Sequence, residues 1–402
     1  MALLSVAEAL DHVLAHAAPL PADEVPIGEA AGRVLACDLK ARRTQPPADV
    51  SAMDGYAVRA ADVAAAPARL KIIGEVAAGR PFNAAVGAGE AARIFTGGFV
   101  PAGADTVVIQ ELTKRDGAWV EVQKPTTKGR HVRPQGLDFR LGETLFAKGH
   151  RLTARDLALA AAMNHPVLPV HRQPNVALFA TGDELVAPGI EPGPGQIVYS
   201  NGFALAALAR AEGAAVTDLG VVPDNLDETI AAVRRARDLD ADILVTTGGA
   251  SVGEHDLVGK AFAAEGMALS FWKVAMRPGR PLMHGRLGAM EVLGLPGNPV
   301  SSYVCAFLFL VPLIHKLSGR ADLVIPSEPA VLGSDLPEND ERADYLRASL
   351  EDGPDGPVAT PFPTQDSSMM APLAKSGCLL IREPHAPAAK AGSACVIVRL
   401  DR

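Results

Sequence analysis

Between residues 174 and 320, apolar runs of strand length alternate with longer segments of helical period. The chain reads strand at 176–180, helix at 202–211, strand at 215–221 and helix at 226–237. It continues as strand at 243–247, helix at 256–264, strand at 292–295 and helix at 300–317. Strands separated by helices of about ten or more residues imply parallel βαβ units and a doubly wound sheet. Ligands of such sheets sit beyond the carboxyl ends of the strands. The loops TGDE (181–184), PDN (223–225), TTGGASVG (246–253) and GLPGNP (294–299) should therefore open on one edge.

The flanking segments follow other periods. Over 3–16, Val6, Leu10, Val13 and Leu14 line one helical face, and Ser5 and Glu8 have capping-box spacing. Residues 151–164 are again helical, with Thr153 at the N-cap. From 51 to 132 the runs shorten and alternate, as at 106–111 and 119–122, and Asp116-Gly117 is a hairpin signal. Short runs return at 345–350, 378–381 and 395–400. The chain thus reads as multidomain α/β plus β. A helical, dimerising unit (1–43 and 134–173) is split by a β-rich insertion (44–133). An α/β domain (174–320) and a small C-terminal β-barrel (321–402) follow. The apolar run 304–314 is about half the ~20 residues that span a bilayer, and Pro312 interrupts it, so it predicts a buried, kinked helix.

Composition narrows the partners. The 402 residues are 48% apolar and 21% charged, as in a globular protein of several domains. An aromatic share of 4% and a net charge of −8 speak against a nucleic-acid partner. Cys37, Cys305, Cys378 and Cys395 are scattered without zinc spacing, which points to free thiols in a reducing cytoplasm. The N-terminus carries Glu8 and Asp11 and no basic stretch, so no signal peptide and no membrane association are expected.

The candidate chemistry gathers at the carboxyl-end loops. Gly248, Gly249, Ser251 and Gly253 form one glycine turn before a helix, and Pro296, Gly297, Asn298 and Pro299 form another. Such turns expose backbone N–H groups to a phosphate or oxyanion. Asp183, Glu184, Asp224, Glu254 and Asp256 converge on the same edge. Hard carboxylate oxygens suit Mg²⁺, which takes one or two carboxylates plus substrate phosphates, although each Asp could equally cap a helix. Lys273, Arg277 and Arg280 would bring cations to that edge. Neither a P-loop nor a dinucleotide fingerprint is present, and no Ser/His/Asp set can be argued.

Eight ordered motifs, spanning nearly the whole chain, resemble the MoeA-type molybdopterin molybdenumtransferases, the family that includes the E domain of gephyrin. They are SAMDGYAVR, RIFTGGFVPAGADTVV, RPQGLD, ALFATGDEL, LGVVPDN, GGASVGEHD, FWKVAMRPGRP and GLPGNP. The resemblance implies four domains, a homodimer and an active site shared between subunits. It implies that adenylylated molybdopterin and molybdate are the substrates, that AMP is released, and that Mg²⁺ is required. The adenylyltransferase that makes the substrate would be a transient partner. By the same resemblance the acidic positions fall on Asp54, Asp138, Glu184, Asp224 and Asp256, with Glu184, Asp224 and Asp256 toward metal. The active-site threonine falls on Thr96, the cationic pair on Lys273 and Arg277, the C-terminal arginine on Arg347, and the serine on Ser367 or Ser368. Two alternatives remain: the adenylyltransferase, which lacks the β insertion and the barrel, and a non-catalytic scaffold.

Overall fold

The computed structural model describes residues 3–80, 82–248 and 257–400. The expected α/β sheet is present, with strands ordered Ala215–Val222, Asn175–Thr181, Ile243–Thr247, Met290–Leu295, Met283–Leu287 and Ala268–Phe271. The first four run parallel, and the last two add an antiparallel hairpin edge that the alternating pattern did not reveal. Asn175–Thr181 and Ile243–Thr247 are buried along almost their whole length, as expected of strands covered on both faces. Helices Leu226–Asp238 and Leu257–Ala264 seal one face around Phe179, Leu244 and Phe262. The other face packs against Asn201–Ala211 and the apolar helix Pro299–Leu317.

That apolar helix is long and apolar enough to cross a membrane by length and composition, yet 83% of it is buried inside the protein. It is continuous rather than broken. Ala306–Leu310 forms a π-helical turn in which the Val311 N–H donates to the Ala306 carbonyl. Pro312 follows within Val311–Leu317. Proline has no N–H to donate, and its ring presses on the carbonyl four residues back; the widened turn relieves that contact.

The first helix, Val6–Leu14, forms as its cap predicts: the Ser5 N–H donates to Glu8 Oε2 at 2.8 Å, and the Glu8 N–H to Ser5 Oγ at 3.2 Å. Its apolar face meets the α/β core, with Ala9 and Val13 packed among Val304, Phe309 and Leu313. The second helix, Ala154–Ala162, lies in a separate core with Leu35, Phe139 and Leu168. Thr153 caps it through Asp156 Oδ2, which accepts from its N–H and its hydroxyl at 2.7 Å each.

The β-rich segment folds as a six-stranded sheet in the order Thr106–Ile109, Gly55–Val58, Glu90–Ile94, Ala68–Val76, Trp119–Val122 and Thr113–Asp116. Its hairpin turns at Gly117 (φ 57°) and Ala118. At the C-terminus, Ala343–Gly353 pairs with both Gly356–Pro361 and Cys378–Arg382, which closes a five-stranded barrel with Glu328–Leu332 and Ala394–Arg399.

Candidate active site

The carboxyl edge of the α/β sheet opens into a cavity of about 890 Å³. Several predicted residues line it together: Glu184, Asp224, Gly248, the Pro296–Pro299 loop and Ser368. The two glycine loops touch, since a Cβ on Gly297 would lie 3.5 Å from the Gly248 Cα. Gly248 has φ 86°, and a Cβ there would come within 2.5 Å of the Thr181 carbonyl. Only glycine passes that strand so closely. Two acidic loops are tied to each other: the Asp224 N–H donates to Asp183 Oδ1 at 3.1 Å, and the Asp183 N–H approaches Asp224 Oδ2 at 3.4 Å.

Of the two candidate serines, Ser368 lines this cavity and Ser367 bonds the lining residue Asn298. Asn298 Nδ2 donates to Ser367 Oγ at 2.8 Å, and the Val300 N–H donates to the Ser367 carbonyl at 3.1 Å. Ser368 lines the wall, and its hydroxyl and N–H both donate to Asp366 Oδ1. The barrel of this chain therefore supplies one wall of the cavity.

Arg347 is placed behind that wall. It is 1% exposed, its Nη1 donates to the Met369 carbonyl at 3.1 Å, and Gln365 Oε1 accepts from both its backbone N–H and its Nε. Burial lowers its pKa against the opposing charge of Asp366. It holds the 362–369 loop and does not face the cavity. Arg277 is likewise engaged elsewhere. Its guanidinium grips Asp344 at 2.6 and 2.8 Å and Asp340 at 3.1 Å, and the Asp344 hydrogen bond raises its pKa. This pairing fastens the 276–277 strand to the barrel, so Arg277 is not brought together with Lys273 as a free cationic pair. Lys273 is half-buried and has no carboxylate partner among the described residues. Gly249, Ser251, Gly253, Glu254 and Asp256 lie outside the described residues.

A second group sits in the β-rich segment. Asp54 precedes one strand and Thr96 follows its antiparallel neighbour, with Gly55 opposite Ile94. Asp54 Oδ1 accepts from the Thr96 N–H and from Thr96 Oγ1, each at 2.8 Å. The backbone N–H first and the hydroxyl second hold the Asp54 carboxyl below its ordinary pKa. Arg93 stands beside the pair, its guanidinium over the rings of Tyr56 and Phe95 at 5.2 and 4.9 Å. Asp138 is exposed in a loop, where its N–H donates to the Gln45 carbonyl. None of these three predicted residues lines the 890 Å³ cavity of its own chain.

The cavity also has walls that the sequence reading passed over. Leu185–Val186 and Ile197–Val198 pair as a short parallel ladder beside it, followed by Tyr199, Ser200 and Asn201. Asn201 Nδ2 donates to the Gly297 carbonyl at 2.8 Å. The Tyr199 hydroxyl lies 3.4 Å from Asp218 Oδ1, and burial, then Asp218, pushes its pKa up. Thr181 Oγ1, also on the lining, is buried without a partner among the described residues. The signal was available: residues 182–200 link a strand's carboxyl end to the next helix, so their path must begin at the ligand edge.

Comparison with known proteins covers the chain from end to end. Residues 4–164 match the family model for the MoeA N-terminal region (domains I and II). Residues 177–316 match that for a probable molybdopterin binding domain, and residues 329–400 that for the MoeA C-terminal region (domain IV). The molybdopterin molybdenumtransferase of Nostoc sp. is 39% identical over 337 residues, covering 81% of this chain and 76% of that one. Its counterpart from Haemophilus influenzae is 33% identical over 382 residues, 94% of each. The crystal structure of the molybdopterin biosynthesis MoeA protein from Pyrococcus horikosii superposes with a TM-score of 0.85 at 31% identity, covering 100% of both chains.

Proposed function

This chain belongs to the MoeA family of molybdopterin molybdenumtransferases, transferases of molybdenum cofactor biosynthesis, and from that premise we propose that it inserts molybdenum from molybdate into adenylylated molybdopterin with release of AMP. The observation that carries this reading is the cavity at the sheet's carboxyl edge. Its 890 Å³ suits a ligand of nucleotide size, and it sets glycine-loop backbone and a serine hydroxyl opposite two carboxylates.

The roles follow from the donors present. The turns at Gly248 and Pro296–Pro299 would cradle the phosphoanhydride, with fixed N–H groups aimed at charge that grows as AMP leaves. Ser368 and the Asn298–Ser367 pair would orient the pterin side of the substrate. Lys273, with no carboxylate to neutralise it among the described residues, would add positive charge for molybdate or phosphate. Arg347 and Arg277 would act through the loops and barrel they hold.

Glu184 and Asp224 are hard oxygen donors on the cavity wall, a set that fits Mg²⁺ shared with substrate phosphates. When bound, the ion would offset the charge on the phosphate. Carboxylates of the site would accept or relay the protons as molybdate's oxo groups leave as water.

The Asp54–Thr96 pair and Asp138 would complete the site of the other subunit in a homodimer. The protein would work in the cytoplasm, without a membrane, and take its substrate from a transiently bound adenylyltransferase.

The test is AMP release from adenylylated molybdopterin, with and without molybdate and Mg²⁺, by the wild type and Asp224→Ala. Release that needs both, and is lost in a folded Asp224→Ala protein, supports the reading. Tight pterin binding without release sinks it and favours a scaffold.

A further inference from the structure

The loop Pro296–Pro299 has few donors to offer a ligand. Its two prolines lack a backbone N–H, so only Gly297 and Asn298 carry one. Both residues line the active-site cavity and are exposed, and among the described residues neither N–H has an acceptor within the protein.

The far end of the loop is fastened to the barrel: Asn298 Nδ2 donates to Ser367 Oγ at 2.8 Å, and the Val300 N–H to the Ser367 carbonyl at 3.1 Å. The peptide unit between Gly297 and Asn298 is the soft part. Turning it over changes only ψ of Gly297 and φ of Asn298. Glycine accepts either conformation, and asparagine is among the residues most tolerant of positive φ. Asn298 nevertheless stands at φ −62°. The contact that selects this orientation comes from the neighbouring helix. Asn201, the first residue of Asn201–Ala211, donates from Nδ2 to the Gly297 carbonyl at 2.8 Å, and among the described residues that carbonyl has no other donor.

We propose that Asn201 is a positioning residue for the transfer: by holding the Gly297 carbonyl it aims the Asn298 N–H at the phosphoanhydride of the substrate. The peptide is trans, so its C=O and N–H point in opposite directions. Tying the carbonyl to Asn201 therefore turns the N–H away from the helix and fixes its line. A donor already fixed stabilises the charge that grows as AMP leaves without reorganising at that moment. Turned over, the same peptide would present its carbonyl oxygen, an acceptor that repels phosphate. Asn201 has this role only in the proposed molybdenum insertion, on which the inference rests.

Asn201→Leu removes the donor at nearly constant size; if it does not fold, Asn201→Ala takes its place. The folded variant should lose about ten- to a hundred-fold in kcat for AMP release, short of the loss on deleting an oxyanion donor outright, with KM little changed. An unchanged kcat, or an effect confined to KM, overturns the proposal. A second readout needs no turnover. Gly297-Asn298 is the only Gly-Asn step in the chain, so isotope labelling of glycine carbonyl carbons and asparagine nitrogens isolates this peptide in a carbonyl-correlated amide NMR spectrum. At saturating AMP its signal should shift in the wild type and stay in place in the variant. A signal that moves equally in both, or in neither, also overturns the proposal. If the wild type releases no AMP from adenylylated molybdopterin, the insertion reading fails, while the amide signal still decides how Asn201 sets the loop.

Discussion

Gly202→Ala tests how the active-site wall is seated. Gly202 lies in the first turn of helix Asn201–Ala211, and a Cβ there would fall 1.6 Å from the Tyr199 Oη and 2.4 Å from its Cζ. The tyrosine is 6% exposed and cannot keep its place against that carbon. Two effects oppose each other. Alanine gains up to about 1 kcal/mol over glycine in a helix. Forcing a packed ring aside costs about 1–3 kcal/mol. With Tyr199 present the net is a loss of roughly 0–2 kcal/mol. In a Tyr199→Ala background the clash is gone, and the same change should stabilise by up to about 1 kcal/mol. The difference between the two backgrounds, about 1–3 kcal/mol, isolates the contact. Denaturant unfolding of the four variants measures it, and AMP-release kinetics should show a raised KM for the pterin in Gly202→Ala. Equal effects of Gly202→Ala in both backgrounds would refute the reasoning.

Three further perturbations address other parts of the molecule. Thr96→Val removes the hydroxyl donor to Asp54 but keeps the backbone donor, so the depressed carboxyl pKa should rise. The acid limb of the AMP-release profile should then move to higher pH and return with Thr96→Ser; an unmoved limb would mean that Asp54 does not govern it. Glu212→Gln should cost about 1–3 kcal/mol, because it removes the buried carboxylate that accepts from Arg320 and meets His315 at 2.7 Å, while Arg320 keeps Asp322. Burial raises the Glu212 pKa, but the His315 hydrogen bond and the charges of His315, Arg320 and Arg151 lower it more. Its contribution is therefore present above the unfolded pKa and lost as pH falls through the folded one, so the variant's melting temperature should depend less on acid pH than that of the wild type. Ser367→Ala deletes the acceptor of Asn298 Nδ2 and should cost about 0.5–1.5 kcal/mol, read as faster amide exchange over residues 296–300; unchanged exchange there would show that the backbone bond alone holds the loop.

What could be read from the chain divides along a physical line. Local signals translated directly: the Ser5–Glu8 box, the cap at Thr153 and the parallel strands with their loops on one edge all rest on spacing within a few residues. Partners chosen by topology did not. The apolar face of Val6–Leu14 is visible in the sequence, but nothing in its period says that it packs on the α/β core rather than on Ala154–Ala162. Arg277 looks like a free cation beside Lys273 because its carboxylates, Asp340 and Asp344, arrive from more than sixty residues away. Arg347 is found at the matching motif position, yet only its burial shows that it acts on the loop and not at the cavity. Tyr199 and Asn201 were missed because a long polar loop has no period to read.

The widened turn at Ala306–Leu310 also sets the rotational phase of the helix beyond it. A π-helical turn absorbs one more residue than a regular turn before the helix resumes. Wound as uniform α-helix, the same sequence would present residues 311–317 rotated by about 100°. His315 would then face away from Glu212, and the apolar residues after the turn would leave the core they now fill. Inside this turn, removal of a single residue should leave the two ends of the helix facing as they do now. The same deletion one or two turns further on should misalign the core and abolish folding.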